Sequence, residues 1–230
     1  VGVSKSVIES IFGDKGLEFY SNKIHMIYNG FNQEAFIVNK DRKTTLRSLN
    51  VKDDADIYLH IGSFSKAKNH MKLIMVFNEI LKINYKAHLL IVGSGDINIK
   101  SNLINYIESN NLEKNVTITG ELEHISDVIN ASDIIIFPSL WEGLPGVLIE
   151  GSIFKKPILA SDIQPCKEVA EFFPNIYIYS LKHSNLNWAV KAEELLFNSK
   201  NGHIKFVELT ETPFHLDKTI KRMQSIWNKI

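Results

Sequence analysis

Short runs of Ile, Val and Leu recur along the chain, and a segment with helical periodicity follows nearly every one. Clear examples of the runs are residues 87–93 (AHLLIVG) and 133–138 (DIIIFP). They are too continuously apolar for strands with one face in water, so they predict a parallel sheet covered by helices on both faces. Because crossovers between parallel strands are right-handed, we expect a Rossmann-like, doubly wound α/β domain.

The predicted elements follow from this alternation. The predicted strands are residues 57–62, 87–93, 116–120, 133–138, 157–160 and 175–179. The predicted helices are residues 69–83, 99–109, 125–131, 145–154 and 184–197. Outside the alternation, residues 4–12 and 216–230 read as helices and residues 23–28 as a strand. We therefore expect one sheet flanked by separate segments at both ends.

The composition is that of an ordinary globular chain of 230 residues, with 44% hydrophobic and 23% charged residues. Lys+Arg and Asp+Glu are 26 each, so the formal net charge is zero and no nucleic-acid partner is expected. The single cysteine, Cys166, excludes an intramolecular disulfide and suits a reducing compartment. No apolar run approaches the roughly 18 residues that cross a bilayer. The first residues lack both Met and a signal-peptide pattern, which suggests a start inside a larger protein.

Ligands of doubly wound sheets bind beyond the carboxyl ends of the strands, so the loops there are the candidate site. After the first strand come Gly62, Ser63, Lys66 and Lys68. The glycine allows the backbone to turn close to a ligand, and lysines beside a helix start suit a phosphate. An ordinary strand–helix loop with solvated lysines has the same sequence pattern and is the commoner case.

The next two loops say less by themselves. Gly93 and Gly95 resemble the first half of a dinucleotide fingerprint, but the third glycine is absent because residue 98 is Asn98. A tight turn explains this loop at least as well. The loop after Gly120 holds acidic residues, beginning with Glu121, whose role the sequence leaves open.

The loop after the fourth strand, residues 138–150 (PSLWEGLPGVLIE), carries two carboxylates separated by seven residues. Glu142 lies just before a helix start marked by Gly143 and Pro145, and Glu150 lies inside the helix. Such a pair can reach different hydroxyl groups of one ligand, with the free N–H groups of the helix start between them. An acidic loop with a solvated helix carboxylate is the alternative, but apolar neighbours of Glu150 make an unpaired carboxylate costly there.

These residues resemble the Glu-x7-Glu motif of family 4 glycosyltransferases, which have the GT-B fold. The likeness extends over roughly residues 1–170 and is closest to bacterial capsule, exopolysaccharide and lipopolysaccharide enzymes. Further motifs in family order are residues 3–6 (VSKS), 27–31 (IYNGF), Gly62 with 68–70 (KNH), 92–95 (VGSG), 116–120 (VTITG) and 137–139 (FPS).

The resemblance implies a role for each matching residue. Glu142 would bind hydroxyls of the donor sugar near the reacting carbon, Glu150 would hold the ribose, and Lys68 would neutralise the leaving diphosphate. Glu142 and Lys68 would thus be catalytic. The other implied donor-binding residues are Gly62, Ser63, Gly93, Gly95, Gly120, Glu121, Gly143, Leu144, Pro145 and Gly146. The glycines after the first two strands would shape the cleft floor, and Gly120 with Glu121 would flank the base.

The resemblance also implies a division of the chain. Residues 1–30 would end an amino-terminal GT-B domain, 31–55 would be a linker, 56–210 would be the donor-binding domain, and 211–230 a carboxyl-terminal helix. The acceptor, a glycan or a lipid-linked glycan, would bind mainly to the absent amino-terminal domain. One departure stands out, because many members carry Arg where this chain has Ser63. Lys66 is the candidate to replace that charge.

The implied enzyme is a retaining, metal-independent hexosyltransferase that uses a UDP- or GDP-sugar donor and no cofactor. No His/Cys/Asp cluster has metal-ligand spacing. The expected place is the cytoplasm, with peripheral contact to the inner face of the plasma membrane. Two alternatives remain: a nucleotide-sugar-binding subunit that needs a separate acceptor-domain partner, and a GT-B epimerase acting on a UDP-sugar.

Overall fold

The computed structural model describes residues 2–19 and 24–228 and contains one parallel sheet of six strands. The strands are β1 (Asp56–Ile61), β2 (Ala87–Val92), β3 (Val116–Gly120), β4 (Ile134–Phe137), β5 (Ile158–Ser161) and β6 (Ile176–Tyr179). Their order across the sheet is β3-β2-β1-β4-β5-β6, and every neighbouring pair is parallel. The predicted α/β fold class is confirmed, as are all six strands.

Helices alternate with these strands and extend beyond them at both ends. They are α1 (Lys5–Phe19), α2 (Arg42–Ser48), α3 (His70–Ile83), α4 (Ile97–Ser109), α5 (Ile125–Ala131), α6 (Gly146–Ile153), α7 (Gln164–Ala170), α8 (Asn185–Lys200) and α9 (Leu216–Trp227). In α1 the chain bends at Gly13, whose φ of 59° and ψ of 177° are not helical. The bend falls just after the helix predicted to end at residue 12.

Two hydrophobic layers enclose the sheet, one on each face. Alternate residues of a strand enter opposite layers. Ile135 and Phe137 of β4 enter the layer that includes residues of α2, α5, α6 and α7, and Ile134 and Ile136 enter the layer that includes residues of α3, α4 and α8. All four side chains are buried. The two-sided burial explains why the strands are apolar at successive positions, since each buried aliphatic side chain contributes about 1.5–3 kcal/mol.

The structure corrects one prediction and adds two helices. Within the predicted strand 23–28, residue 23 lies outside the described residues and the rest forms a single bridge, from Gly2 to Met26. Helix α2 lies within residues 31–55, where a linker is expected, and begins because the Asp41 carboxylate accepts the Thr44 N–H at 2.7 Å. Helix α7 was not predicted either, and Pro165 lies in its first turn.

The segment that precedes β1 pairs with the segment that precedes α9. The Phe31 N–H donates to the Phe214 carbonyl at 2.7 Å, and the Leu216 N–H donates to the Phe31 carbonyl at 3.0 Å. Helix α9 follows as far as Trp227, and the predicted helical residues 229–230 lie outside the described residues, as does residue 1. Among the described helices, none is both long enough and apolar enough to span a membrane.

Candidate functional site

The loops that follow β1, β2 and β3 converge at the carboxyl edge of the sheet. They enclose an open cleft of about 390 Å³ whose lining residues are Ile61, Gly62, Ser63, Val92, Gly93, Ser94, Glu121, Leu122 and Ile125. The strand order reverses between β1 and β4, so the loops after these two strands flank the switch point at which such sheets bind ligands. These two loops carry Lys68 and Glu142.

Glycines allow the loops after β1 and β2 to pack backbone against backbone. Gly93 has a φ of 146°, and a Cβ added there would lie 2.2 Å from the Gly62 carbonyl oxygen. Gly95 has a φ of 147°, and its added Cβ would lie 2.7 Å from the Phe64 oxygen. The Phe64 N–H donates to the Ser94 carbonyl at 2.8 Å. The two glycines therefore serve this loop contact, which the incomplete fingerprint alone did not indicate.

Lys68 crosses Gly62 and reaches Glu142. A Cβ added at Gly62 would lie 2.9 Å from Cγ and Cδ of Lys68, so only glycine leaves room for the lysine stem. The Lys68 ammonium lies 2.6 Å from Glu142 Oε1 and 5.0 Å from the centroid of the Phe137 ring. The exposed fractions of the two paired side chains are only 17% and 11%. The structure thus brings together the two residues that the sequence singled out as catalytic.

Hydrogen bonds to backbone carbonyls also tie the loop after β1 to the loop after β4. Asn69 adopts a left-handed conformation with a φ of 53°, and its side-chain amide donates to the Pro138 carbonyl at 3.1 Å. The Leu140 N–H donates to the Ala67 carbonyl at 2.7 Å. This role of Asn69 was not predicted from the sequence, although asparagine is the residue type that best tolerates that conformation after glycine.

The turn after Glu142 leads into α6, which begins at Gly146 with Pro145 before it. The N-cap residue Pro145 makes no side-chain cap, and no other side chain in the described part of the protein is bonded to the first N–H groups of α6, which are therefore available to an anion. Glu150 lies one turn further on, and its Oε1 is 3.7 Å from where a Cβ of Gly146 would be. Among the described residues, none pairs with the Glu150 carboxylate, and burial raises its pKa. Leu144 packs against the core beneath the turn.

Of the remaining candidates, Ser63 and Glu121 line the cleft, whereas Lys68, Glu142 and Glu150 lie outside its lining. Gly120 has a φ of 74°, and the following Glu121 accepts a hydrogen bond from the Ser94 hydroxyl. Ser63, in the place of the family arginine, is exposed, and its Oγ lies 3.5 Å from Ser65 Oγ. Lys66 is exposed nearby on the same loop. Sequence reasoning missed the Ser94–Glu121 contact, which closes the wall between the loops after β2 and β3.

Two buried groups behind the site, Cys166 and His70, stay uncharged. Burial and the negative charge of Glu142 raise the pKa of Cys166 to about 12, so its thiol remains protonated. His70 stacks on Phe64 with 4.5 Å between ring centroids and meets His60 at 4.9 Å. Burial, followed by the positive charge of Lys68, lowers the pKa of His70 to about 4. The uncharged side chains of Cys166 and His70 therefore lie behind the Lys68–Glu142 ion pair.

Residues 41–198 match the family of glycosyl transferases group 1. This match covers more than half of the chain. The chain belongs to the group 1 glycosyl transferases. Both glutamates of the Glu-x7-Glu turn and Lys68 lie within the matched residues.

Named relatives of this family connect it with bacterial surface polysaccharides. The chain is 27% identical over 213 residues to the capsular polysaccharide biosynthesis glycosyltransferase CapH of Staphylococcus aureus, covering 92% of this chain and 55% of CapH. It is 30% identical over 145 residues to a UDP-Gal:alpha-D-GlcNAc-diphosphoundecaprenol alpha-1,3-galactosyltransferase of Escherichia coli, covering 61% of this chain and 37% of that enzyme. This group 1 glycosyl transferase domain is thus related to enzymes of surface polysaccharide synthesis.

Solved structures show the same fold at low sequence identity. A glycosyltransferase from Rickettsia africae superimposes with a TM-score of 0.79 at 19% identity, over 99% of this chain and 62% of that one. Anabaena Alr3699/HepE in complex with UDP and glucose superimposes with a TM-score of 0.73 at 18% identity, over 90% and 57%. The fold is that of the carboxyl-terminal domain of a GT-B glycosyltransferase. The chain spans about half the length of CapH and of these solved relatives.

Proposed function

We propose that this chain binds a nucleotide-sugar and supplies the donor-binding half of a retaining glycosyltransferase. The observation that carries the proposal is the mostly buried Lys68–Glu142 pair at the switch point, beside the uncapped start of α6. The names of the relatives support the class of donor and product, because one relative is a UDP-galactose transferase and another a capsular polysaccharide enzyme. The proposed reaction transfers a hexose to a glycan or lipid-linked acceptor of surface polysaccharide synthesis.

Each part of the donor has a proposed place in the site. The diphosphate lies between Lys68 and the N–H groups of Gly143, Leu144 and Gly146, since Pro145 has no N–H. The sugar hydroxyls meet Glu142. The ribose hydroxyls meet Glu150, whose carboxylate is unpaired among the described residues. The base lies in the cleft near Gly120 and Glu121. A uridine base is favoured over guanosine by the HepE complexes, which contain UDP.

The Lys68–Glu142 pair can change partners without leaving a charge unpaired. An ammonium group has three donors, so Lys68 can keep Glu142 and add an oxygen of the diphosphate. Glu142 keeps a second oxygen for a sugar hydroxyl. In the absence of donor, the two opposite charges neutralise each other, which offsets the cost of holding them mostly out of water.

The proposed chemistry follows from where charge develops. The bond between the anomeric carbon and the diphosphate oxygen breaks, and a bond to the acceptor oxygen forms on the same face of the sugar. The proton of the acceptor hydroxyl passes to the leaving diphosphate oxygen. Negative charge grows on the leaving diphosphate, where Lys68 and the start of α6 stabilise it. Positive charge grows on the sugar, near the Glu142 carboxylate. In this proposal, these groups take the part that a divalent cation plays in other transferases.

The proposal also covers the rest of the enzyme. Residues 56–210 form the donor-binding unit, residues 1–30 belong to the end of an amino-terminal domain, and that domain binds the acceptor. The half-length match to the relatives supports this division. The proposed place of work is the cytoplasmic face of the plasma membrane, where lipid-linked acceptors are presented.

A thermal-shift titration tests donor binding. The melting temperature should rise with UDP-glucose, UDP-galactose or GDP-mannose, because a ligand that binds only the folded state stabilises it. Glu150→Ala should abolish the rise. The matched control, Glu113→Ala, removes an exposed glutamate that directly follows Leu112 and should leave the rise unchanged. A melting temperature that responds to no nucleotide-sugar would overturn the proposal.

A further inference from the structure

Helix α7 carries a carboxylate that binds the amino-terminal segment, which comprises the described residues 2–19 and 24–30. Glu168 is only 4% exposed. One of its oxygens, Oε1, accepts the backbone N–H of Lys5 at 2.7 Å and the hydroxyl of Tyr28 at 2.8 Å. Hydrogen bonds to an ionised acceptor are roughly twice as strong as neutral ones. Both donors come from the segment before the sheet begins, so Glu168 links that segment to the domain.

The fastened segment lies along the turn that carries Glu142. Ser4 is fully buried, and its hydroxyl accepts the Val7 N–H at 3.2 Å and donates to the Gly143 carbonyl at 3.4 Å. A Cβ added at Gly143 would lie 3.9 Å from Val7 Cγ2. The first turn of α1 is thus in contact with the residue next to Glu142.

Tyr28, the second residue bound by Glu168, packs against residues from other parts of the chain. Its ring packs against Phe214 with 4.7 Å between centroids and against Phe172 with 6.1 Å. Its carbonyl accepts the Thr219 hydroxyl at 3.2 Å. Burial and the neighbouring Glu168 raise the pKa of Tyr28, so the hydroxyl remains a donor. Amino-terminal segment, α7 and the start of α9 therefore meet at one point.

When a backbone carbonyl is held in one orientation, the direction of the N–H of the next residue is also determined. The peptide bond is planar, and in its trans form the carbonyl of one residue and the N–H of the next point in opposite directions. The structure contains no cis peptide bond among the described residues. With the Gly143 carbonyl held by Ser4, the Leu144 N–H is directed away from α1.

We infer that Glu168 is a positioning residue of the donor site, which holds Ser4 against the Gly143 carbonyl and thereby aims the Leu144 N–H at the donor. The inference rests on the proposed function, since it assigns this N–H to the sugar and phosphate. Glu168 acts through Lys5 and Ser4 and makes no contact with the donor itself. It makes the amino-terminal segment a functional part of the donor half.

Calorimetric binding of two ligands to the 230-residue chain separates positioning from general stability. In the proposed site UDP-glucose reaches the Gly143 turn, whereas UMP lacks the second phosphate and the glucose. Glu168→Ala should weaken UDP-glucose binding by about five- to tenfold, the equivalent of one hydrogen bond, and change UMP binding by less than about twofold. Glu168→Gln retains an oxygen acceptor for both donors and should keep UDP-glucose binding within about twofold of the unaltered protein.

Two further variants, Ser4→Ala and Glu171→Ala, test the inference independently of Glu168→Ala. Ser4→Ala removes the contact with Gly143 and should reproduce the selective loss of UDP-glucose, even if Glu168→Ala does not fold. Glu171→Ala, an exposed carboxylate of the same region, should change neither ligand. Equal loss of both ligands in Glu168→Ala and Ser4→Ala, or full UDP-glucose binding in both, would overturn the inference. Failure of the unaltered protein to bind any of UDP-glucose, UDP-galactose and GDP-mannose would overturn the proposed function itself.

Discussion

At the level of single residues, Lys68 and Glu142 form an ion pair that is mostly shielded from water. Removing one partner of such a pair leaves the other charge poorly solvated, whereas removing both leaves none. We expect Lys68→Met and Glu142→Gln each to lower the free energy of unfolding by about 1–3 kcal/mol. The double variant should lose clearly less than the sum of the two, as measured by urea unfolding.

The Lys82–Glu79 pair on α3 is the control for this cycle. Its lysine is 62% exposed and its ammonium lies 2.7 Å from the carboxylate, so distance is matched while burial is not. An exposed pair should give a coupling energy of at most about 0.5 kcal/mol. Equal coupling in the two cycles would show that burial of the Lys68–Glu142 pair has no energetic consequence.

His88 makes stability depend on pH. Burial lowers its pKa to about 4, whereas an unfolded histidine titrates near 6.5. The unfolded state therefore takes up a proton first as pH falls, so stability is unaffected above about pH 6.5 and declines from there towards about pH 4. His88→Gln, whose amide can keep the bond to Thr117 Oγ1, should reduce the decline between about pH 7 and pH 5 by roughly 1–2 kcal/mol.

Chemical unfolding at several pH values measures this difference. The matched substitution His203→Gln, at an exposed position, should leave the acid-induced decline unchanged. Glu150 and Glu193 have pKa values raised mainly by burial and so change stability in the opposite direction. They are present in both proteins and cancel in the comparison. Parallel curves for the unaltered protein and His88→Gln would contradict the assignment.

The sequence identified some site residues and missed others for a physical reason. Lys68 and Glu142 follow strand-like runs, and their loops could be assigned to one edge of the sheet without a structure. Glu168 could not be found in this way, because its partners Lys5 and Tyr28 are 163 and 140 residues away. A glutamate in a short helix has the same local pattern whether it faces water or a buried backbone N–H.

At the level of elements, the loops after β1 and β2 depend on a glycine at position 93. Its φ of 146° disfavours any other residue, and a side chain there would meet the Gly62 carbonyl oxygen at 2.2 Å, a backbone atom that cannot rotate away. We expect Gly93→Ala to lower the free energy of unfolding by more than about 3 kcal/mol, from left-handed strain and overpacking together. Thermal or urea unfolding measures the loss.

Gly202 provides the control for strain without a clash. Its φ is 70°, and nothing lies within 4 Å of an added Cβ. Gly202→Ala should therefore cost only about 1–2 kcal/mol. If both alanines cost the same, the close approach of the two loops would have to be relieved by a backbone shift.

Elements with strong periodicity were predictable, and short ones were not. Strands β2 and β4 are buried at every position and, apart from His88, apolar, because both faces of each strand are covered. Helix α2 has seven residues and buries only Thr45 and Leu46, too few positions to show a helical period. The segment 24–28 has strand-like letters but only Gly2 as a bridging partner among the described residues, so one bridge forms in place of a strand.

At the level of the whole molecule, the position of the site follows from the strand order. Local patterns predict strands and helices, and the handedness of crossovers makes the sheet doubly wound. The order β3-β2-β1-β4-β5-β6 then places the reversal between β1 and β4, which brings the loops of Lys68 and Glu142 together. The fold class and this edge could be predicted, whereas the cleft wall formed by Ser94 and Glu121 required coordinates.

Helix α9 exposes several large apolar side chains. On α9, Ile220, Met223 and Trp227 are spaced along one helix face and are 42%, 38% and 69% exposed. Thr219 is the buried residue of this helix. Grouped apolar side chains in contact with water favour association, whereas single ones do not. The isolated chain should therefore self-associate weakly as its concentration rises, through this face.

Replacing two of these side chains tests the role of the face. Met223→Gln with Trp227→Gln should abolish the concentration-dependent rise in mass seen by light scattering, and should change the free energy of unfolding by no more than about 0.5 kcal/mol because both positions are exposed. Tyr85→Gln, which removes an 83% exposed side chain far from α9 in sequence, should leave the association unchanged. Persistent association of the double variant, with its stability intact, would assign the contact to another surface. A large loss of stability would instead mean that α9 packs more tightly in solution than its exposed side chains indicate.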